Sequence, residues 1–122
     1  MTEKIIHRIC AWNAERYEQI DNPQLTHDLL AEEVAEYKDA IYYVGDEVDL
    51  LDALVDTIYI AVGGMWKMGL TPEQIERAIH VVCTSNDSKT AAKTPSHIKA
   101  NIDKGEGFIA PEPQLQEILN ER

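Results

Sequence analysis

Apolar residues recur along this chain at helical spacing, and no segment alternates convincingly enough for a strand. The cleanest stretch lies between residues 47 and 68, where Val48, Leu51, Val55, Ile58, Val62 and Met65 follow 3-4-3-4-3 steps. That is the seam of a helical bundle. Residues 24–43 carry Leu30, Val34, Tyr37 and Ile41 at 4-3-4 spacing and predict a second long helix. Upstream, residues 3–20 predict an amphipathic helix with Ile5, Ile9, Trp12, Tyr17 and Ile20 towards the core, broken by Asp21-Asn22-Pro23. Gly69 stops the third helix, and Thr71-Pro72-Glu73-Gln74 starts a fourth with an N-cap, a proline at the first helical position and a capping box. That helix, 72–84, should bury Ile75, Ile79 and Val82. The pattern then lapses into an ordered loop with one helical turn near 95–102, and residues 112–120 predict a short terminal helix. The expected architecture is all-α: one domain over 1–122, a bundle of four main helices with an irregular C-terminal segment.

Size and charge narrow the function. A chain of 122 residues supports a single marginal core, which subunit association would help. Its net charge of −11 argues against a nucleic-acid surface. With no run of 18 apolar residues and no signal-like N-terminus, no membrane partner is expected and the location should be cytoplasmic. Cys10 and Cys83, without a CxxC pattern, are expected to be reduced and buried. The charge is uneven: residues 21–60 hold 11 of the 22 acidic residues and one base, Lys38, whereas Lys89, Lys93, Lys99 and Lys104 cluster downstream. An acidic block and a basic block suit an anionic, metal-bound substrate, although solvated faces give the same asymmetry.

The acidic block has a pattern of its own. Glu32, Glu33 and Glu36 precede a turn at about Val44-Gly45-Asp46, and Asp49, Asp52 and Asp56 follow it. Positions paired across an antiparallel hairpin keep a constant index sum, which sets Glu33 level with Asp56 and Glu36 level with Asp52. At about 100° per residue, Glu33 and Glu36 lie about 60° apart and Asp52 and Asp56 about 40° apart, each pair flanking its apolar stripe. One acidic pair is an ordinary solvated face. Two pairs in register call for a cation, because like charges at these spacings destabilise a helix. Oxygen ligands favour a hard divalent ion. A di-iron bundle would need Glu-x-x-His and zinc would need His or Cys, and this chain offers neither pattern. Mg²⁺ or Mn²⁺ remains as the ion that these carboxylates suit.

Two polar segments could hold phosphate. Ser85-Asn86-Asp87-Ser88-Lys89 follows the fourth helix, and Lys104-Gly105-Glu106-Gly107 sets a cation on a glycine-flanked turn. Asn86, Lys89 and Lys104 are the candidate donors. Trp12 and Tyr17 could stack on a base, although such residues are more often core. The four histidines form no triad with Ser or Cys.

These elements in this order resemble the all-α NTP pyrophosphohydrolases, the MazG-like superfamily that includes phosphoribosyl-ATP pyrophosphohydrolases and dimeric dUTPases. Glu32-Glu33-Val34-Ala35-Glu36 matches the EExxE half of the signature, and Asp56 looks like the Asp of the ExxD half. Ala53 stands where that half expects Glu, so Asp52, one turn before Asp56, is the candidate substitute. SNDSK and KGEGFIAP resemble downstream elements of phage-type and phosphoribosyl-ATP branches. The resemblance implies Mg²⁺-dependent cleavage of a (d)NTP between the α- and β-phosphates to (d)NMP and pyrophosphate. It implies Glu33, Glu36, Asp52 and Asp56 on Mg²⁺, for which Mn²⁺ can substitute, with Asp49 in reserve for the missing Glu. It implies Glu32, Glu33, Glu36 and Asp56 as the catalytic set, with Glu32 holding or deprotonating water, and Asn86, Lys89 and Lys104 on the phosphates; Trp12 stays the candidate for the base. A homodimer or homotetramer is implied as well. The alternatives are phosphoribosyl-ATP hydrolysis, or a non-catalytic helical oligomer that binds a nucleotide.

Overall fold

Helices hold nearly all the regular structure of the computed structural model, which describes residues 4–43, 46–91, 102–103 and 107–122. The order is α1 (Ile5–Arg16), α2 (Pro23–Tyr42), α3 (Glu47–Lys67), α4 (Pro72–Asp87), β1 (Thr90–Ala91), β2 (Ile102–Asp103) and α5 (Glu112–Asn120). The all-α expectation holds, with one addition: β1 and β2 pair antiparallel, Thr90 with Asp103 and Ala91 with Ile102. A two-residue ladder is too short to leave an alternating pattern. Val44 and Gly45 of the expected turn, and positions 95–101 of the expected helical turn, lie outside the described residues.

Local chemistry explains where the helices begin and end. The Asn22 side chain accepts the Leu25 N–H at 3.1 Å, with Pro23 at the first helical position, which fixes the start of α2. α1 ends at Arg16, four residues earlier than expected, because Tyr17 is already extended. At α3, Asp46 and Asp49 form a reciprocal capping box: Asp46 accepts the Asp49 N–H at 3.1 Å and Asp49 accepts the Asp46 N–H at 3.2 Å. The box anticipated at Thr71 and Gln74 is present, with bonds of 2.9 and 3.2 Å. Gly69 precedes it at φ 95°, a conformation that favours glycine.

The chain clusters into two compact units, Met1–Ile75 and Glu76–Arg122. In the first, α2 and α3 make the most extensive helix–helix contact, and α1 packs on α3. Small residues set these approaches. Ala40 and Ala53 are buried, a Cβ on Gly63 would come 3.0 Å from the Asn13 side chain of α1, and one on Gly64 would come 2.8 Å from Thr26 of α2. Ile9, Cys10, Val62, Trp66, Leu70 and Ile75 supply the apolar core. In the second unit Ile118 is buried, and Arg77 is clamped by Glu121 through two hydrogen bonds of 2.7 and 2.9 Å.

The helical periodicity located the stripes but not their burial. On α3 only Val62 of the expected seam is buried; Val48, Leu51, Val55 and Ile58 are 71, 62, 49 and 59% exposed. Val34 and Ile41 on α2, Ile5, Trp12, Tyr17 and Ile20 near α1, and Ile79 and Val82 on α4 are exposed too. Gly64 of α3 lets Thr26 of α2 approach closely, while these larger side chains stay exposed. Cys10 is buried as expected, but Cys83 is exposed; both are free.

The α3 cap yields a stability prediction. Asp46→Ala should lower unfolding stability by about 1 kcal/mol, the usual value of an N-cap. A urea titration followed by circular dichroism checks this, and an unchanged midpoint would show that the box does not stabilise α3.

Candidate active site

The α2–α3 hairpin brings Glu33 level with Asp56, the first of the two expected pairs. Glu33 and Glu36 from α2 and Asp56 from α3 each place a carboxylate oxygen within 4.8 Å of the others. Glu33 and Asp56 are half-buried and Glu36 is exposed. Burial raises the Glu33 pKa, helped by the charge and contact of Glu36 and then by the charges of Asp56 and Asp52. Burial also raises Asp56, followed by the charges of Asp52 and Glu36. Among the described residues, Glu33 Oε2 is a buried oxygen with no hydrogen-bond partner. Such an orphaned acceptor amid other carboxylates fits a hard divalent cation that bonds oxygen.

The other expected ligands are arranged differently. Asp52 lies close enough to act electrostatically on Glu33 and Asp56, yet it is outside the three-residue cluster. Asp49, held in reserve by the sequence reading, is engaged in the α3 capping box. Ala53, where the family pattern expects Glu, is 2% exposed. Glu32 is exposed on α2, beside Glu33 in sequence and outside the cluster.

Asn86 and Lys89 belong to the second unit. Ser85, Asn86 and Asp87 are the last turn of α4, not a loop after it, because the helix runs one turn further than its apolar pattern. Lys89 donates to Asn86 Oδ1 at 2.9 Å, and Ser88 Oγ donates to the Ser85 carbonyl at 2.6 Å while accepting the Ile109 N–H at 2.8 Å. The segment thus serves its own helix terminus. Lys104 lies outside the described residues.

Trp12 lines a cavity of about 160 Å³ between α1, α2 and α3, with Tyr17, Tyr59, Asn13, Gly63 and Lys67 among its walls. The Trp12 ring meets Tyr59 edge-on at 5.4 Å and lies 6.1 Å from Tyr17, and the Arg16 guanidinium sits 4.5 Å over it. Sequence reasoning missed Asn13 and Lys67. Their signal was there: Asn13 follows Ile9 by one helical turn and Lys67 follows Gly63 by one, so both continue core-facing rows.

Residues 1–81 match the family model described as phosphoribosyl-ATP pyrophosphohydrolase. The match covers α1, α2, α3 and the whole carboxylate cluster, and stops before Asn86. The chain is therefore an all-α pyrophosphohydrolase of the MazG-like superfamily, a hydrolase acting on phosphoric anhydrides. Within that class it belongs to the phosphoribosyl-ATP pyrophosphohydrolase family. No curated protein and no solved structure matches it. Among the described residues, no helix is long and apolar enough to cross a membrane.

The raised carboxyls predict a pH effect in metal-free protein. Glu33 and Asp56 bind protons more tightly folded than unfolded, so their stabilisation is complete below the ordinary carboxylate range and lost as pH rises through the raised folded values. Asp28, lowered by its bond with His27, and Glu73, lowered by its bond with His7, act in the opposite sense, so a variant comparison isolates the effect. With chelator present, Glu33→Gln should melt above the wild type at neutral pH, and the gap should close on acidification. A gap independent of pH would contradict the crowding.

Proposed function

We propose that Glu33, Glu36 and Asp56, with Asp52 near them, hold Mg²⁺ and that the chain hydrolyses nucleoside triphosphates to the monophosphate and pyrophosphate. The observation that carries this reading is the convergence of three carboxylate oxygens within 4.8 Å around the unpartnered Glu33 Oε2. Mn²⁺ suits the same oxygen donors. When bound, the ion supplies positive charge that neutralises phosphate oxygens and polarises phosphorus. The protein's own part is to hold the triphosphate chain beside α2 and α3. Glu32 on the exposed side of α2 positions water and accepts its proton. A bond forms between the water oxygen and phosphorus, the α–β anhydride bond breaks, and pyrophosphate departs with the bond's electron pair. Trp12, Tyr17 and Tyr59 accept the base in the adjoining cavity.

Phosphoribosyl-ATP is the second reading, favoured by the family model itself. Glu36→Gln should lower pyrophosphate release by at least about a hundredfold, the scale of losing one catalytic electrostatic group, while leaving the helical spectrum intact. Side-by-side assays of dNTPs, NTPs and phosphoribosyl-ATP with Mg²⁺ check both points; an unchanged rate in the variant refutes the site.

The exposed stripe supports self-association. Val48, Leu51, Val55 and Ile58 on α3, with Val34 and Ile41 on α2, form half of a bundle seam and are exposed among the described residues. A two-fold related copy would present the same stripe and complete four helices from two hairpins, making a homodimer the smallest assembly that covers it. Leu51→Glu with Val55→Glu should halve the mass measured by light scattering and leave the helices folded. A wild-type protein monomeric at micromolar concentration would overturn the assignment.

A further inference from the structure

The cavity bounded by α1, α2 and α3 contains two polar groups that an apolar stacking slot does not need. Asn13 is 3% exposed and Lys67 is 8% exposed, in a unit whose other buried side chains are mostly apolar. Asn13 Nδ2 donates to the Ile9 carbonyl at 2.9 Å, which fixes the amide and leaves Oδ1 as an acceptor. Gly63 preserves this arrangement, because a Cβ there would come 3.0 Å from Oδ1. The Lys67 ammonium lies 4.4 Å from the centre of the Tyr17 ring. Its pKa is lowered by burial, with no carboxylate charge offsetting the effect. An ammonium resting on an aromatic face keeps N–H donors available to a ligand.

Position along α3 relates this cavity to the carboxylates. Asp56, Ile60, Gly63 and Lys67 follow one another at four-, three- and four-residue steps, so they share a helical face. Gly63 is seven residues beyond Asp56 and Lys67 eleven, about 10 and 16 Å along the axis. That is the reach of an extended nucleotide from its phosphates to its base. The negative end of the face suits a metal-bound triphosphate, and the far end presents one hydrogen-bond acceptor and one obligate donor.

We infer that Asn13 and Lys67 select a keto nucleobase, recognising the ring N–H and adjacent carbonyl of uracil, thymine, guanine or hypoxanthine. This rests on the nucleotide reading of the carboxylate site and adds its base preference. Asn13 Oδ1 accepts the ring N–H. Lys67 Nζ donates to the exocyclic oxygen, the atom that projects furthest from the ring. Adenine and cytosine carry an amino group at that exocyclic position, and an ammonium cannot accept from it, so two donors would face each other. A site built on buried polar groups rejects such a mismatch more strongly than an apolar pocket rejects a change of size. Lys67 and Asn13 are specificity-determining residues here and take no part in breaking the anhydride.

The test uses free nucleosides with the full-length protein in chelator, so neither metal nor hydrolysis enters. Saturation-transfer NMR should show thymidine, uridine and inosine binding at least about tenfold tighter than cytidine and adenosine, the scale of one mismatched polar contact. Lys67→Met should level that ranking while the helical spectrum stays intact. Equal binding of all five nucleosides by the wild type, binding by none, or a ranking that survives Lys67→Met overturns the inference. The wild-type ranking stands even if the variant fails to fold. A keto preference in a protein that releases no pyrophosphate from any nucleotide would refute the hydrolytic reading and leave the base assignment standing.

Discussion

Repulsion among three carboxylates organises the N-terminal unit. Two like charges about 4 Å apart repel by about 1 kcal/mol in water and about 4 kcal/mol near a protein surface. Glu33, Glu36 and Asp56 converge within 4.8 Å, and burial adds to the cost for two of them. α2 and α3 tolerate this because their contact is extensive along both helices and close where Gly64 meets Thr26. The hairpin is thus a scaffold strained by its own charge and suited to a cation.

α3 connects the several parts of the account. Its N-terminus is fixed by the Asp46–Asp49 box, its middle contributes Asp56, and its last turns contribute Gly63 and Lys67 to the cavity. Its outward stripe from Val48 to Ile58 is apolar and exposed. One helix therefore carries a charged face toward the site and an apolar face away from the α2 contact. Asp49 shows how close the functional and structural uses of a carboxylate lie: one turn before a candidate ligand, it is consumed in capping.

The sequence made much of this legible because helical geometry is periodic and local. The break before Pro23, the cap at Thr71, the end at Gly69, the terminal helix at 112–120 and the Glu33–Asp56 register follow from spacing and side-chain chemistry within a few residues. What spacing could not reveal is which neighbour covers each stripe. Val48, Leu51, Val55 and Ile58 have a seam's periodicity, but the partner they would face is not within the same protomer's α2–α3 contact. Asn13 and Lys67 were missed for a related reason: a polar residue on a core row looks like an exception until the cavity beside it is seen. Asn86 and Lys89 had the right donor chemistry, yet the extra turn of α4 and the Ser88 bonds engage that segment locally.

Titrating Mn²⁺ into the wild type and Asp56→Asn, followed by electron paramagnetic resonance, tests the central claim most directly. Saturable binding by the wild type, lost or weakened at least about tenfold when the carboxylate is neutralised, is the expected result. Identical titrations would mean that the three converging side chains hold no ion, and the catalytic account built on them would fall.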